Sequence, residues 1–479
     1  MSVLEGIEPK GVMYFFEKLS EIPRGSGNTA AAAEFCMSFA RSRGLECHLD
    51  KAGNCIIIKE AAPGYEGAAP VIIQGHLDMV CEKEENALLD MSAEGLRLRV
   101  EGDKISAEGT TLGGDDGIAV AMALAILDDK TIPHPRLEVL LTADEEIGMI
   151  GAAKLDPSPL KGRRLLNIDS EEEGVFTVSC AGGNVTKCII PVSREDFPGD
   201  SFEIKISGLK GGHSGVEIDK GRANADMLLG RVLRTLEKSG KMRVISVSGG
   251  LMDNAIPAAA CAVVKLDGNP EGVLKECENI FAAEFAASDA EIKISASGIA
   301  DPEYAPMTEE ASHRVVSALC CMPDGIQRMS MNIPGLVQTS LNLGILKTSE
   351  EAVEASFCVR SSVSSEKDAL TERLKLMTEL LGGSCEIIGD YPPWEYLTDS
   401  PLRELMKKIY IEMYGSEPKI EAIHAGVECG ILAGKLPGLE CVSFGPNLSN
   451  IHTPSETMSI ASVKRVWEFL LKVLAELRQ

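Results

Sequence analysis

The chain has 479 residues, a formal net charge of −25, and 44% hydrophobic against 25% charged residues. That length exceeds one ordinary core, so two or more globular domains are expected, and the acidity argues against nucleic acid or an anionic membrane as partner, since both demand clustered cations. No apolar run approaches the ~18 residues of a membrane span, and the opening MSVLEGIEPK lacks a basic-then-apolar leader. The 14 cysteines include no Cys-x-x-Cys, so reduced thiols and a cytoplasmic location are expected.

Two predicted helices open the chain, over 10–20 and 29–43, with Gly44 placed to cap the second. Strands are predicted at 55–58 and 71–74, then a hairpin from 97–100 and 104–107 around Gly102-Asp103. The turn Gly113-Gly114-Asp115-Asp116-Gly117 precedes an alanine-rich helix at 118–127. A strand at 137–142 runs into Ala143-Asp144-Glu145-Glu146, and one at 165–168 runs into Asp169. Strands alternating with helices, each strand ending in an acid or a histidine, predict an α/β domain. Its site should lie along the carboxyl edge of the sheet.

Near Gly183 the texture changes. Amphipathic strands (201–207, 244–248, 259–266, 291–297, 337–346, 352–359) alternate with helices (223–238, 270–287, 367–381). This predicts an inserted α+β domain in two layers, long enough for two smaller units. Pro392-Pro393 is a natural return hinge. A helix at 401–414, strands at 420–423 and 440–444, and a helix at 459–477 then complete the first domain. The expected organisation is one domain from 1–183 and 392–479, with an insertion at 184–391.

In Val71-Ile72-Ile73-Gln74-Gly75-His76-Leu77-Asp78 an apolar run ends at Gly75. His76 and Asp78 fall two apart, on one side of an extended backbone. An imidazole with a carboxylate beside it suits a metal site, the nitrogen binding and the carboxylate orienting it. Asp115, Glu145, Glu146, Asp169 and His452 also sit at strand ends or in glycine-rich turns. Each has a plain structural reading: Asp115 and Asp116 as helix caps, Glu145 and Glu146 as helix N-terminal acids, Asp169 as the head of a solvated acidic run, His452 as a loop residue. Together they read differently. Asp115, Glu146, Asp169, two neutral histidines and a hydroxide nearly balance two divalent cations ~3.5–4 Å apart. The same acids without metal repel one another. Glu145, next to a ligand yet free, is placed to take a proton from the water.

The segments QGHLDMV, TLGGDDGIAVAMALAIL, TADEEIGMIGA, NIDSEEEG, GLKGGHSG, HAGVECG and HTPSE together resemble the aminoacyl-histidine dipeptidases. These belong to a dizinc peptidase superfamily that also holds aminoacylases and glutamate-type carboxypeptidases. The resemblance runs from about Lys10 to the C-terminus, and HAGVECG with the large insertion narrows it to the dipeptidase branch. It implies a dizinc exopeptidase-type catalytic domain with a central mixed sheet, plus an α+β lid. His76 and Asp169 would hold one zinc, Glu146 and His452 the other. Asp115 would bridge them, with a cis peptide to Asp116. Asp78 would orient His76, and Glu145 would be the general base.

By the same resemblance His213 stabilises the oxyanion, often in another subunit's site, and Asn254 and Arg360 grip the substrate's free carboxylate, for which arginine's paired donors are suited. Gly426 would let backbone approach the substrate. A loop tip is the plain reading of His213, a surface salt bridge that of Arg360. The side-chain roles of His424 and Glu428 stay open. The family often carries Asn where this chain has Asp116, whose charge either favours the substrate's free amine or is inert. The implied protein is a cytoplasmic zinc-dependent dipeptidase acting on unblocked dipeptides, Xaa-His and β-alanyl-histidine included, as a homodimer through the lid. Manganese or cobalt also suit such ligands. An aminoacylase or tripeptidase is the alternative, and a non-catalytic metal-binding protein a further one.

Overall fold

In the computed structural model, which describes residues 2–478, Val71–His76 is a strand of six buried residues. It runs parallel to Leu137–Thr142 on one side and Arg164–Asn167 on the other. Val-, Ile- and Leu-rich runs without alternation are what a strand covered on both faces requires. Glu440–Ser443 extends the parallel part beside Arg164–Asn167, whereas Cys55–Lys59, Glu46–Leu49 and Val175–Cys180 join antiparallel. With Lys419–Ile423 they make an eight-stranded mixed sheet. His76 pairs with Thr142 and Gln74 with Asn167. The residues that follow these strands therefore leave the sheet at one carboxyl edge.

Helices cover this sheet in the way their sequences dictate. Ile118 to Leu127 is apolar all round and wholly buried within the helix Gly114–Asp128, as a helix without a polar face must be. Lys10–Ser20 packs against it through a stripe of Val12, Phe15, Phe16 and Leu19. The last helix, Ile460–Glu476, is capped by the Ser459 hydroxyl, which accepts from Ser462 N–H at 3.2 Å. Its buried Phe469 stacks on Phe176 and meets Phe444 edge-on.

The chain divides into two units. Met1–Ser179, Tyr396–Ala422 and Val427–Gln479 form the first, Cys180–Glu395 and Ile423–Gly426 the second. The expected insertion, 184–391, falls within the second unit. Most of its strands form one nine-stranded antiparallel sheet packed on a large apolar core, with Gly212–His213 and Ala255–Ile256 paired apart from it. The sheet is made of two halves side by side. Lys293–Gly298, Asp200–Ser207, Ala260–Leu266 and Met242–Gly249 form one half, and Val337–Thr348, Ala352–Ser361, Gly182–Pro191 and Ser384–Tyr391 the other, with Gly325–Met329 paired to Val337–Thr348. Only Gly249 and Leu346 are in register where the halves meet, so the doubled length is spent on one widened sheet.

Several elements lie outside the sequence expectations. Val175–Cys180 and Gly182–Pro191 are consecutive strands where Ala181-Gly182-Gly183 reads as a break. Ser384–Tyr391 is an edge strand with mostly exposed side chains and hence no alternating signal. Helix Glu309–Cys321, capped by Thr308, was likewise not expected. Among the described residues the 14 cysteines form no disulfide, and no helix is long and apolar enough to cross a membrane.

Candidate functional site

His76, Asp115, Glu145, Glu146, Asp169 and His452 converge at the carboxyl edge of the eight-stranded sheet. Each is carried there by the end of an element. His76 closes its strand. Gly75 before it is obligatory, because a Cβ there would lie 2.4 Å from Asp116 Oδ2 and 2.5 Å from Ala119 Cβ. Glu145 and Glu146 follow Leu137–Thr142, Asp169 follows Arg164–Asn167, and His452 lies beyond Glu440–Ser443 with φ at +59°. That left-handed backbone is uncommon for a residue with a side chain and recurs at functional sites.

Asp115 stands between the two histidines. Its Oδ1 is 3.0 Å from His76 Nε2 and its Oδ2 is 3.2 Å from His452 Nε2. His452 Nε2 also lies 2.9 Å from Glu146 Oε1, and His76 Nε2 lies 3.6 Å from Asp169 Oδ1. The Asp115–Asp116 peptide bond is cis, and neither residue has helical dihedrals. The Asp115 carboxylate is turned to the two histidines and that of Asp116 to the His76 backbone, and no side chain caps this helix, so neither acid serves as its cap. Asp116 is buried, and its Oδ2 accepts from the His76 backbone N–H at 3.1 Å.

Asp78 ties the loops together. Its Oδ1 accepts from Glu145 N–H at 3.0 Å, and its Oδ2 accepts from Glu146 N–H at 3.2 Å and from the Ser26 hydroxyl at 2.8 Å. His76 Nδ1 lies 3.1 Å from the Asp78 carbonyl oxygen and 3.4 Å from its carboxylate. Burial raises the Asp78 pKa, but His76 and these donors outweigh it and bring the group down to about 2.

Three further groups hold the loops, and the sequence reading passed over two of them. Glu456, in the HTPSE segment, accepts from the backbone N–H groups of Leu112, Gly113 and Gly114 at 2.7, 3.0 and 2.8 Å. It fixes the turn from which Asp115 projects. Arg24 is fully buried and donates through Nη1 to the carbonyls of Leu77 and Asp78 at 3.0 and 2.9 Å, and through Nη2 to that of Gly113. One guanidinium thus clamps the His76 and Asp115 loops together. The Glu428 carboxylate, left open by the sequence, accepts from Gln74 Nε2 and the Thr142 hydroxyl, both at 2.6 Å, beneath the site.

The cluster is short of positive charge. Burial, with neighbouring acids, pushes Glu145 up to about 9, Asp169 to about 6 and Glu171 to about 7. His452 is driven up to about 10, chiefly by its hydrogen bonds to Asp115 and Glu146. Carboxylates crowded this way repel unless cations sit among them. Three groups bring their ligand atoms within 4.8 Å of one another: His76/Asp116/Asp169, His76/Glu145/Glu146 and Asp115/Glu146/His452. Imidazole nitrogens with carboxylate oxygens are the donor set that zinc, manganese or cobalt takes, so the residues present fit such ions.

The second unit carries the other candidates. His213 Nδ1 accepts from the backbone N–H groups of Gly215 and Val216, both at 3.1 Å. That leaves the ring hydrogen on Nε2. Burial and then Arg360 lower the His213 pKa, so the ring is neutral at neutral pH. Asn254 and Arg360 line one cavity of about 480 Å³. Arg360 is buried, which excludes a surface salt bridge. Gly426 lies against the ring of Tyr391, from which a Cβ would be 2.8 Å distant. His424 Nε2 is 2.7 Å from the Ser340 hydroxyl, and burial followed by Arg360 lowers its pKa to about 3.

Residues 72–476 match the peptidase family M20/M25/M40. The chain is 35% identical to the cytosol non-specific dipeptidase of Escherichia coli strain K12 over 483 aligned positions, which cover 100% of this chain and 99% of that protein. The crystal structure of aminoacylhistidine dipeptidase from Vibrio alginolyticus superposes with a TM-score of 0.93 at 34% identity, covering 98% of this chain and 97% of that one. An aminopeptidase from Bacillus cereus ATCC 10987 shares the fold at 16% identity, with a TM-score of 0.56 over 99% of this chain and 100% of its own.

Proposed function

The chain belongs to peptidase family M20/M25/M40, and from that membership we propose a metal-dependent dipeptidase that cleaves unblocked dipeptides, Xaa-His and β-alanyl-histidine among them. The observation that carries this reading is Asp115, one oxygen toward His76 and the other toward His452. We assign His76 and Asp169 to one ion and Glu146 and His452 to the other, with Asp115 shared. Asp116, whose Oδ2 accepts from the His76 backbone N–H, stands beside the ligands of the first ion.

Two divalent ions, zinc by preference, would acidify a water molecule and polarise the scissile carbonyl. Glu145 takes the proton from the attacking water and delivers it to the leaving amine. Asp78 holds His76 and the Glu145–Glu146 backbone in register. His213, neutral and with its hydrogen on Nε2, is suited to donate to the developing oxyanion. Arg360 and Asn254 take the substrate's free carboxylate, with Gly426 contributing its backbone at the same place.

A homodimer through residues 184–391 is the proposed assembly, testable as sedimentation at twice the chain mass of 51.2 kDa. A cytoplasmic location is supported by the thiols without disulfides and by the location printed in the Escherichia coli relative's name. Hydrolysis of a dipeptide panel, with and without chelator and beside N-acetylated analogues, tests the reading. Chelator-sensitive cleavage of free-amine dipeptides supports it. Preference for the acetylated compounds selects an aminoacylase instead, and preference for tripeptides a tripeptidase.

A further inference from the structure

Arg360, Gly183 and Tyr391 stand opposite one another on three adjacent antiparallel strands. Arg360 on Ala352–Ser361 pairs with Gly183 on Gly182–Pro191, and Gly183 pairs in turn with Tyr391 on Ser384–Tyr391. Strands two apart are separated by roughly 9–10 Å, so a side chain on the middle strand ordinarily keeps its outer neighbours from touching. Here the middle position is bare. A Cβ at Gly183 would lie 2.8 Å from the Val359 carbonyl oxygen, 2.9 Å from Tyr391 Oη and 3.2 Å from Cζ. The phenol leans through that gap, and its oxygen accepts from Arg360 Nη1 at 3.2 Å.

The ring is seated by more than this gap. A Cβ at Gly426 would come within 2.8 Å of Tyr391 Cε2 and 3.1 Å of Oη, so a second glycine makes room for the same side chain. The register slips between Ile388 and Tyr391, a bulge that re-aims the end of the strand. Lys367 Nζ then ties that end down, donating to Asp390 Oδ1 at 2.6 Å and to the Tyr391 carbonyl at 3.1 Å. Burial raises the Tyr391 pKa, so the phenol stays neutral. Having accepted from Arg360, it keeps its own hydrogen to donate. Tyr391 and Arg360 both line the cavity that Asn254 borders, and Arg360 Nε has no hydrogen-bond partner among the described residues.

We propose that Tyr391 is the positioning residue for Arg360, holding the guanidinium at the angle at which it receives the substrate's terminal carboxylate, in a seat left open by the missing side chains of Gly183 and Gly426. This rests on the reading of Arg360 as the carboxylate grip. A long arginine otherwise loses rotamer freedom when it binds. The phenol and the tied strand impose that order beforehand.

Steady-state kinetics of the full-length metal-loaded enzyme test the proposal, comparing a dipeptide with its C-terminal amide. Tyr391→Phe keeps the ring and removes only the hydroxyl. Loss of one hydrogen bond predicts a KM for the free acid raised about threefold to tenfold, with the acid-over-amide ratio of kcat/KM falling by the same factor. Arg360→Lys is the reference. If it abolishes discrimination between acid and amide while Tyr391→Phe behaves as wild type, Tyr391 does not position the arginine and the proposal is wrong. If Arg360→Lys leaves the discrimination intact, the carboxylate reading itself falls, and the proposal with it.

Discussion

Asp115 and His452 are 337 positions apart in the chain, yet His452 Nε2 lies 3.2 Å from Asp115 Oδ2. Asp115 reaches that place from a glycine turn held by Glu456, and His452 from a loop with left-handed backbone. Both segments depend on the buried sheet, because each hangs from the carboxyl edge of the strands or the helix packed on them. The chemistry is therefore a property of the tertiary fold. No single segment holds enough donors to bind an ion alone.

Glu145 is assigned the proton transfer and no metal. Glu145→Gln keeps the shape and the backbone hydrogen bond to Asp78 while removing the basic oxygen. Its kcat should fall by about 10²–10⁴ with metal content by elemental analysis unchanged. A variant that turns over at near the wild-type rate takes Glu145 out of the mechanism.

Glu456 touches no proposed ligand atom, yet it sets the turn at Asp115 by accepting from four successive backbone N–H groups, Leu112 to Asp115. Glu456→Gln replaces one carboxylate oxygen by an NH₂ group, which faces backbone N–H groups it cannot accept from. Supporting residues of this kind typically alter metal affinity by roughly 10–100-fold. Competition against a fluorescent chelator should show a loss in that range, and affinity equal to wild type would mean the turn is held without Glu456.

A stability prediction comes from the second unit. Asp226 in helix Ala225–Ser239 is fully buried, and both carboxylate oxygens lack a hydrogen-bond partner among the described residues. Burial, aided by Asp324, raises its pKa to about 8. The unfolded chain releases that proton near the ordinary ~3.9, so between these values the folded state binds more protons and stability falls as pH rises. Asp226→Asn removes the titration. The difference in Tm between variant and wild type should grow, in the variant's favour, from pH 5 to pH 9. A difference that stays constant with pH would show that Asp226 is not held protonated.

The site was legible in the sequence because its residues end apolar strands or follow glycines, where a charged side chain has no part in packing. The supporting groups were not. Arg24 carries no local signal, since its partners are carbonyl oxygens of Leu77, Asp78 and Gly113, and any arginine could make such bonds. Glu456 looked like an ordinary loop acid. Among the elements, Glu309–Cys321 had a usable signal in Thr308 followed by two glutamates, an N-terminal pattern. Ser384–Tyr391 had none, because an exposed edge strand does not alternate. Gly182-Gly183 reads as a turn, and only tertiary neighbours explain glycines inside that strand: the Pro392-Pro393 backbone at Gly182, and the Val359 carbonyl with the Tyr391 ring at Gly183.

The most direct test is the metal content of purified active protein, measured by inductively coupled plasma mass spectrometry beside Asp115→Asn. The account predicts two divalent transition-metal ions per wild-type chain and loss of both ions and activity together in the variant. Wild-type protein that is fully active with no tightly bound metal would contradict it.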